Sequence, residues 1–187
     1  MKVFHTEIDK VLEIQCTVYG DERGFFKEVI HPDKLAEFGV NHRFVQLNHS
    51  KSQQGILRGL HYQLPPYGQA KLVRVLSGKI LDIAVDVRPK SPTFKQYVAV
   101  ELTAEKHNML YVPVGFAHGF YSITDCEVEY ACSDVYAPEF EGAIRWDDPS
   151  LKIDWPFDAK PKLSEKDAVA PFLDDSISTL NWPNEVY

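Results

Sequence analysis

Two basic side chains in the middle of the chain have the types and spacing that proton transfer requires. His61 and Lys71 fall within GILRGLHYQLPPYGQAKLVRVLSG (55–78), where 57–63 and 71–76 read as adjacent strands. A histidine and a lysine on neighbouring strands can both face one cavity. Histidine accepts a proton near neutral pH, and an ammonium group stabilises an oxyanion. The pair therefore suits proton removal next to a developing oxyanion.

Alternation of side chains along the two strands predicts which residues share a face. In the first strand, one face carries Leu57, Gly59, His61 and Gln63, and the other carries Arg58, Leu60 and Tyr62. In the second strand, Lys71 shares its face with Val73 and Val75. The following Ser77-Gly78-Lys79 is typical of a hairpin turn and leads into a third strand.

The elements around this region predict an all-β fold. Further strand-like stretches occur in 1–19 and at 25–30, 43–50, 79–88, 96–102, 109–112, 118–123 and 127–136. Short strands at a spacing of roughly 8–12 residues, with turn signals between them, are typical of a sandwich or barrel. Short helices are predicted over 32–38 and 164–170. Because there is no repeat or linker, we expect 1–187 to form a single domain.

Two of these strands carry polar residues at regular intervals. In 79–88, Asp82 and Asp86 alternate with an apolar face, and we interpret them as structural rather than as a catalytic carboxylate pair. In 127–136, alternation predicts one shared face for Val128, Tyr130, Cys132, Asp134 and Tyr136.

Composition narrows the class of protein. The net charge of −7 argues against a broad basic surface for nucleic acid, although a small anion needs only a few local cations. The three cysteines follow no disulfide or metal spacing, which favours a reducing compartment and predicts the cytoplasm. The opening MKVFHTEIDKVLEI lacks the apolar core of a signal peptide, and no run reaches the ~20 apolar residues of a membrane span.

Six short motifs follow one another along the chain. They are DERGFFKE (21–28), FVQLNHSKS (44–52), LRGLHYQ (57–63), GQAKLVRV (68–75), VPVGFAHGF (112–120) and EKDAVAP (165–171). Together they resemble the nucleotide-sugar 3,5-epimerases, and among these the dTDP-4-dehydrorhamnose 3,5-epimerase type. The resemblance extends from about residue 5 to about residue 175.

The resemblance implies a fold, an assembly and a reaction. The implied fold is a cupin-like antiparallel jelly roll with short flanking helices and a tail over 172–187. The implied assembly is a homodimer in which N-terminal strands cross into the partner. The implied reaction inverts C3 and C5 of an NDP-4-keto-6-deoxy-hexose, converting dTDP-4-dehydro-6-deoxy-D-glucose to dTDP-4-dehydro-L-rhamnose. It requires no cofactor.

The resemblance also implies four catalytic residues. His61 matches the base that takes the proton beside the ketone, and Asp167 matches the carboxylate that orients it and raises its basicity. Tyr130 matches the acid that returns a proton from the opposite face of the sugar. Lys71 matches the cation beside the keto oxygen, where it would stabilise an enolate.

Nine further positions match residues that bind the nucleotide, the diphosphate or the sugar. Tyr136 matches an aromatic side chain packed near the sugar, and the others are Arg23, Glu28, Gln46, Asn48, Arg58, His118, Glu141 and Lys166. Of these, Arg23 and Glu28 are expected to reach in from the partner chain.

Two features depart from the simplest pattern. Val135 stands where the rhamnose-pathway type can carry a second aromatic residue. Alternation also puts Arg58 and His61 on opposite faces, whereas the family uses both. A β-bulge at Gly55 or Gly59 would reconcile the two.

Several alternatives stay open at this point. One is epimerisation at C3 only or C5 only, another is a GDP- or CDP-linked sugar, and a third is a non-catalytic sugar-nucleotide-binding cupin. A metal-dependent cupin is disfavoured, because His61-Tyr62-Gln63 stands in place of the usual H-x-H pair and Lys71 would repel a metal ion. We therefore predict no metal site.

Overall fold

The computed structural model describes residues 1–157, 159–176 and 180–183, which form two facing antiparallel sheets. This confirms the predicted all-β, cupin-like jelly roll. The tail predicted over 172–187 lies partly outside the described residues. In the described part of the chain, every helix is too short or too polar to cross a membrane.

The larger sheet has six strands. In spatial order they are β1 (Lys2–His5), β2 (Leu12–Gln15), β10 (Asn108–Val112), β7 (Lys71–Ser77), β12 (Cys126–Cys132) and β5 (Gln46–Ser52). The smaller sheet has five: β13 (Glu141–Ala143), β6 (Leu57–Gln63), β11 (Phe116–Ser122), β8 (Lys79–Asp86) and β9 (Tyr97–Thr103).

The remaining elements lie outside the two sheets. β3 (Val18–Asp21) and β4 (Gly24–Lys27) form a separate hairpin. The helices are α1 (Pro32–Ala36), α2 (Glu165–Ala168) and α3 (Leu173–Ser176), and a 3₁₀ turn covers Pro138–Phe140. Of these elements, α3 and the 3₁₀ turn were not predicted from the sequence, and neither was strand β13 of the smaller sheet.

Apolar side chains are buried in three layers. The inner cluster lies between the sheets and contains Val73 and Val75 of β7 with Phe120 of β11. A second cluster packs Leu60 and other outward residues of the smaller sheet against the C-terminal segment, and a third packs the larger sheet against α1. Because both outer faces are covered, the inner faces can carry a polar cavity without losing the core.

The first predicted alternation is wrong at one point, and a β-bulge is the reason. On β11, His118 pairs with His61 and Phe120 pairs with Arg58, so two steps on β11 match three on β6. The extra residue brings Arg58 to the same cavity as His61. Gly59 permits this with φ +120°, since a Cβ there would lie 2.5 Å from the Cα of Gly119.

The predicted strand over 127–136 is too long. β12 ends at Cys132, and the next residues leave the sheet. Asp134 and Tyr136 therefore do not share a strand face with Tyr130. Directly after β12, the amide of Ser133 donates to the carbonyl of Ala70, in the loop before β7.

Candidate active site

A cavity of about 370 Å³ opens between the two sheets. Seven of the predicted site residues line it: Arg58, His61, Lys71, His118, Tyr130, Lys166 and Asp167. A smaller cavity of about 100 Å³ shares three of these and adds Gln46, Asn48, Tyr136 and Glu141. The residues common to both are His61, Lys71 and Tyr130, so the two cavities are neighbouring parts of one site.

The first feature of the site is a histidine–carboxylate pair. His61 Nε2 lies 2.6 Å from Asp167 Oδ1. Asp167 is held by α2, where its amide donates to the capping Ser164 Oγ at 3.1 Å, and its Oδ2 accepts the Gly59 amide at 3.4 Å. The bulged strand and the helix cap thus fix the carboxylate behind the imidazole.

The two members of the pair differ in exposure and charge. The His61 side chain is 30% exposed, whereas that of Asp167 is only 4% exposed. Burial acts to raise the pKa of Asp167, but the hydrogen bond and charge of His61 outweigh it and keep that pKa below its usual value. An ionised Asp167 accepts the Nε2 proton of His61 and leaves Nδ1 as the basic nitrogen.

Lys71 supplies positive charge on the same wall. It begins β7 and lies across from Cys132 in the β7–β12 register. Burial lowers the pKa of Lys71, while the nearby Asp82 and Glu141 oppose that change. A partly desolvated ammonium interacts strongly with a negative oxygen, because little water screens it.

Tyr130 is the third side chain that lines both cavities. It lies in the middle of β12, and its ring centroid is 6.4 Å from that of His118. Burial raises the pKa of the Tyr130 hydroxyl. The phenol therefore stays protonated at neutral pH and can act as a proton donor to a strong base such as an enolate.

A second histidine–carboxylate pair, His118 with Asp82, stands beside the first. His118 Nε2 lies 2.8 Å from Asp82 Oδ1, with side chains 6% and 0% exposed. Asp82 Oδ2 has no hydrogen-bond partner among the described residues. From the sequence, Asp82 was interpreted as structural. Alternation on β8 separates Asp82 from the apolar face but gives no signal that His118, on another strand, is its partner.

Three of the predicted binding residues form a linked group at the rim. Glu141 Oε2 accepts the Tyr136 hydroxyl at 2.8 Å and also binds Lys166 Nζ. Burial acts to raise the pKa of Glu141, but the Lys166 and Tyr136 hydrogen bonds lower it overall. Lys166 immediately precedes Asp167 on α2, so this group joins the rim to the histidine–carboxylate pair.

Arg58, Gln46 and Asn48 are held by neighbouring strands. Arg58 Nε donates to Ser52 Oγ at 2.9 Å, which fixes the guanidinium at the wall of the larger cavity. Gln46 Nε2 donates to Asn48 Oδ1 at 3.0 Å, and Asn48 Nδ2 lies 3.6 Å from Cys132 Sγ.

Two predicted site residues are not part of either cavity. Arg23, in the β3–β4 hairpin, donates hydrogen bonds from its guanidinium to both carboxylate oxygens of Asp21, and its side chain is 84% exposed. Glu28, just after the hairpin, binds Lys34 Nζ at 2.6 Å. Within one chain, neither residue contacts the site formed by His61.

The donor set does not resemble a metal centre. Among the described residues, no group of three or more histidine, cysteine, aspartate or glutamate side chains could hold a metal ion. The polar groups of the cavity instead combine two histidines with lysine, arginine and tyrosine, which suits an anionic ligand that undergoes proton transfer.

Comparison with known proteins matches this geometry to one family. Residues 5–175 match the family model described as dTDP-4-dehydrorhamnose 3,5-epimerase. A protein of that name from Salmonella typhimurium is 46% identical over 181 residues, covering 96% of this chain and 99% of its own length.

Solved structures give the same result. A dTDP-6-deoxy-D-glucose-3,5-epimerase from Legionella pneumophila, in complex with dTDP-4-keto-L-rhamnose, superimposes with a TM-score of 0.92 at 46% identity and covers 96% of each chain. ChmJ from Streptomyces bikiniensis, a 3′-monoepimerase in complex with dTDP-quinovose, has a TM-score of 0.87 at 34% identity and covers 94% of this chain and 90% of its own.

Proposed function

The chain belongs to the dTDP-4-dehydrorhamnose 3,5-epimerase family, and we propose that it performs this epimerisation in the cavity around His61. The substrate is a dTDP-linked 4-keto-6-deoxy-hexose, which is inverted at C3 and C5. The observation that carries the mechanism is that a histidine, a lysine and a tyrosine line one cavity between the sheets. These are the groups that inversion beside a ketone requires.

Each inversion is a pair of proton transfers through an enolate. His61 Nδ1 takes the proton from the carbon beside the ketone, and the electron pair of the broken C–H bond moves to the keto oxygen. The Lys71 ammonium stabilises the resulting oxyanion. Tyr130 then delivers its hydroxyl proton to the opposite face of the same carbon. Before the second carbon reacts, His61 loses its proton and Tyr130 regains one by exchange with water.

The electrostatics of the site favour these roles. Asp167, ionised because its pKa is lowered by His61, stabilises the imidazolium that forms when His61 takes a proton. Tyr130, with its pKa raised by burial, keeps its proton until an enolate is there to receive it. Each positioned proton transfer contributes about 10²–10⁴ in rate.

The remaining polar residues suit a nucleoside diphosphate sugar. Arg58 presents a guanidinium whose planar donors match phosphate oxygens, and Lys166 adds a second positive charge at the rim. Tyr136 is 53% exposed and offers an aromatic face where a sugar ring would enter. His118, Gln46, Asn48 and Glu141 provide hydrogen-bonding groups around it.

We also propose a homodimer in which the β3–β4 hairpin completes the partner's site. The hairpin exposes Phe25 and Phe26, at 61% and 69%, which is unusual for large apolar side chains in a monomer. It also carries Arg23, which lines neither of the two cavities around His61 in its own chain. A partner chain would bury the two phenylalanines and bring Arg23 and the following Glu28 to a second cavity.

Subunit mixing tests the shared site. We expect Arg23→Ala and His61→Asn dimers each to be weak, and their mixture after subunit exchange to regain activity, because one site in each mixed dimer has both residues intact. A mixture no more active than the separate variants would contradict the exchange of the hairpin.

Two broader proposals follow from the sequence and the buried thiols. We propose that 1–187 is a single epimerase domain, since the family model spans 5–175. The cysteines Cys16, Cys126 and Cys132 are free and buried, which favours a reducing compartment. We therefore assign the protein to the cytoplasm, which cell fractionation would test.

The reaction itself is tested by isotope exchange. The protein is incubated in D₂O with dTDP-4-dehydro-6-deoxy-D-glucose, and the sugar is examined by NMR. We expect deuterium at both C3 and C5 and the L-rhamno product. Deuterium at one carbon only would identify a monoepimerase, and deuterium at neither would identify a sugar-nucleotide-binding protein without this activity. The same assay with GDP- and CDP-linked sugars defines the nucleotide carrier.

A further inference from the structure

The backbone that carries Tyr136 is held by side-chain amides rather than by a sheet. In the described structure, residues 133–137 belong to no strand. Gln69 Nε2 donates to the Asp134 carbonyl at 2.8 Å, and Gln63 Nε2 donates to the Val135 carbonyl at 2.9 Å.

Two more bonds extend this pattern along the segment. The Tyr136 amide donates to Gln46 Oε1 at 2.8 Å, and the Ala137 amide donates to Gln63 Oε1 at 2.9 Å. Four consecutive residues are therefore bound by three glutamines, which come from β5, β6 and the loop before β7. We call Gln46, Gln63 and Gln69 the glutamine clamp.

We propose that the glutamine clamp positions Tyr136 for substrate capture and that Gln63 is its central residue. The proposal rests on the proposed function, because it assumes that Tyr136 meets the sugar nucleotide. The clamp residues are positioning residues. They act through the backbone of the segment and not through contact with the reacting atoms.

Gln63 has the features of a residue placed for this purpose. Its side chain is 4% exposed, and its Nε2 donates to the Tyr67 carbonyl as well as to that of Val135. Both amide hydrogens and the oxygen are therefore in use. Since Gln63 lies two residues after His61 on β6, the same strand positions both the His61 side chain and the segment 133–137.

Tyr136 depends on its backbone because its ring has little packing. The residue is 53% exposed, and among the described residues its hydroxyl has one hydrogen bond, which it donates to Glu141. A side chain of this kind follows any shift of the chain that bears it. Losing a clamp bond should therefore weaken substrate binding and leave proton transfer between His61 and Tyr130 unchanged.

The clamp adds a positioning role for Gln46 to the binding role proposed above. Its Oε1 accepts the Tyr136 amide, and its Nε2 donates to Asn48 Oδ1. Gln46 also lines the smaller cavity, so it holds the Tyr136 backbone and still has one Nε2 hydrogen that can bind the sugar nucleotide.

A double-mutant cycle tests the proposal. Gln63→Ala, Tyr136→Ala and the double variant are compared by kcat, KM and Tm. Because a hydrogen bond contributes about 0.5–1.5 kcal/mol net, we expect Gln63→Ala to raise KM by about three- to tenfold with kcat within about twofold. In the Tyr136→Ala background the KM effect should disappear, while the loss of Tm should persist.

A second variant and a control keep the result clear. Gln69→Ala removes a single clamp bond at a less buried residue and should raise KM by about twofold to threefold, again only when Tyr136 is present. Gln96→Ala, an exposed glutamine next to the edge strand β9, should change neither KM nor kcat.

The outcomes separate the two proposals. KM effects that are the same with and without Tyr136, or a loss confined to kcat, would overturn the clamp. Wild-type protein without epimerase activity would instead overturn the proposed function. Activity in the wild type together with KM effects that require Tyr136 supports both.

Discussion

Two histidine–carboxylate pairs stand side by side in this molecule, and their difference in exposure separates their roles. His61 and His118 face each other across β6 and β11, and their contacts to Asp167 and Asp82 are similar, at 2.6 and 2.8 Å. The His61 side chain is 30% exposed, whereas that of His118 is 6% exposed. Of the two imidazoles, His61 therefore has the freer access to water, which the proposed proton exchange requires.

The two carboxylates differ in their hydrogen bonding. Asp167 lies on a short helix and has both oxygens bound, one by His61 and the other by the Gly59 amide. Asp82 lies within a central strand, and its Oδ2 has no partner among the described residues. Under the proposed mechanism, the same type of pair serves proton transfer at His61, whereas the buried His118–Asp82 pair supports the cavity wall.

The largest expected effect comes from replacing the two histidines in parallel. His61→Asn removes the base and should lower kcat by about 10²–10⁴. His118→Asn keeps a donor to Asp82 and should lower kcat by only about tenfold, since it does not receive the substrate proton. Steady-state kinetics of both variants check this, and equal losses would remove the distinction between the pairs.

The carboxylates provide the next comparison. Asp167→Asn should lower kcat roughly a hundredfold with little change in KM, because His61 loses the charge that stabilises its protonated form. Asp82→Asn replaces the buried carboxylate with an amide and should mainly destabilise the fold, by about 1–3 kcal/mol. Urea unfolding and kinetics on both variants separate the effects, and a greater loss of kcat at Asp82 would reverse the assignment.

A smaller effect is expected in the pH profile. Burial lowers the pKa of Lys71 below its usual 10.5, and burial raises that of Tyr130 above 10.0. Lys71 must be charged to stabilise the oxyanion, so activity should fall as pH rises through its lowered pKa. The alkaline limb of kcat/KM should thus begin below pH 10.5 and move upward in Lys71→Arg. If Lys71→Arg leaves the alkaline limb where it is, the limb does not report Lys71, and deprotonation of Tyr130 would account for it instead.

The sequence predicted regular elements well and irregular ones poorly. The strand at 57–63 was predicted with the bounds of β6, because alternation reflects a simple choice between the core and the other face. The bulge at Gly59 broke that rule, since it depends on close approach to Gly119 in a distant strand. From the sequence, a bulge at Gly55 or Gly59 was inferred only because Arg58 and His61 were expected to serve one site while alternation put them on opposite faces.

The polar supports of the site were the hardest part to predict. Residues 133–136 were predicted as the end of a strand, but the amides of Gln63 and Gln69 bind this segment outside the sheet. The partnership of Asp82 with His118 joins residues on separate strands, so neither reveals the other locally. Motif resemblance named eleven side chains that line the two cavities, together with Arg23 and Glu28, which line neither. What each side chain contacts depends on the arrangement of the strands, which the motifs do not show.

The most direct test of the account is hydrogen exchange by Tyr130→Phe in D₂O. If His61 removes the proton and Tyr130 returns one from the opposite face, this variant should incorporate deuterium at C3 and C5 while the sugar keeps its configuration, because only His61 can then reprotonate the enolate. His61→Asn should show no exchange. Inversion by Tyr130→Phe at the wild-type rate, or exchange that persists in His61→Asn, would contradict the account.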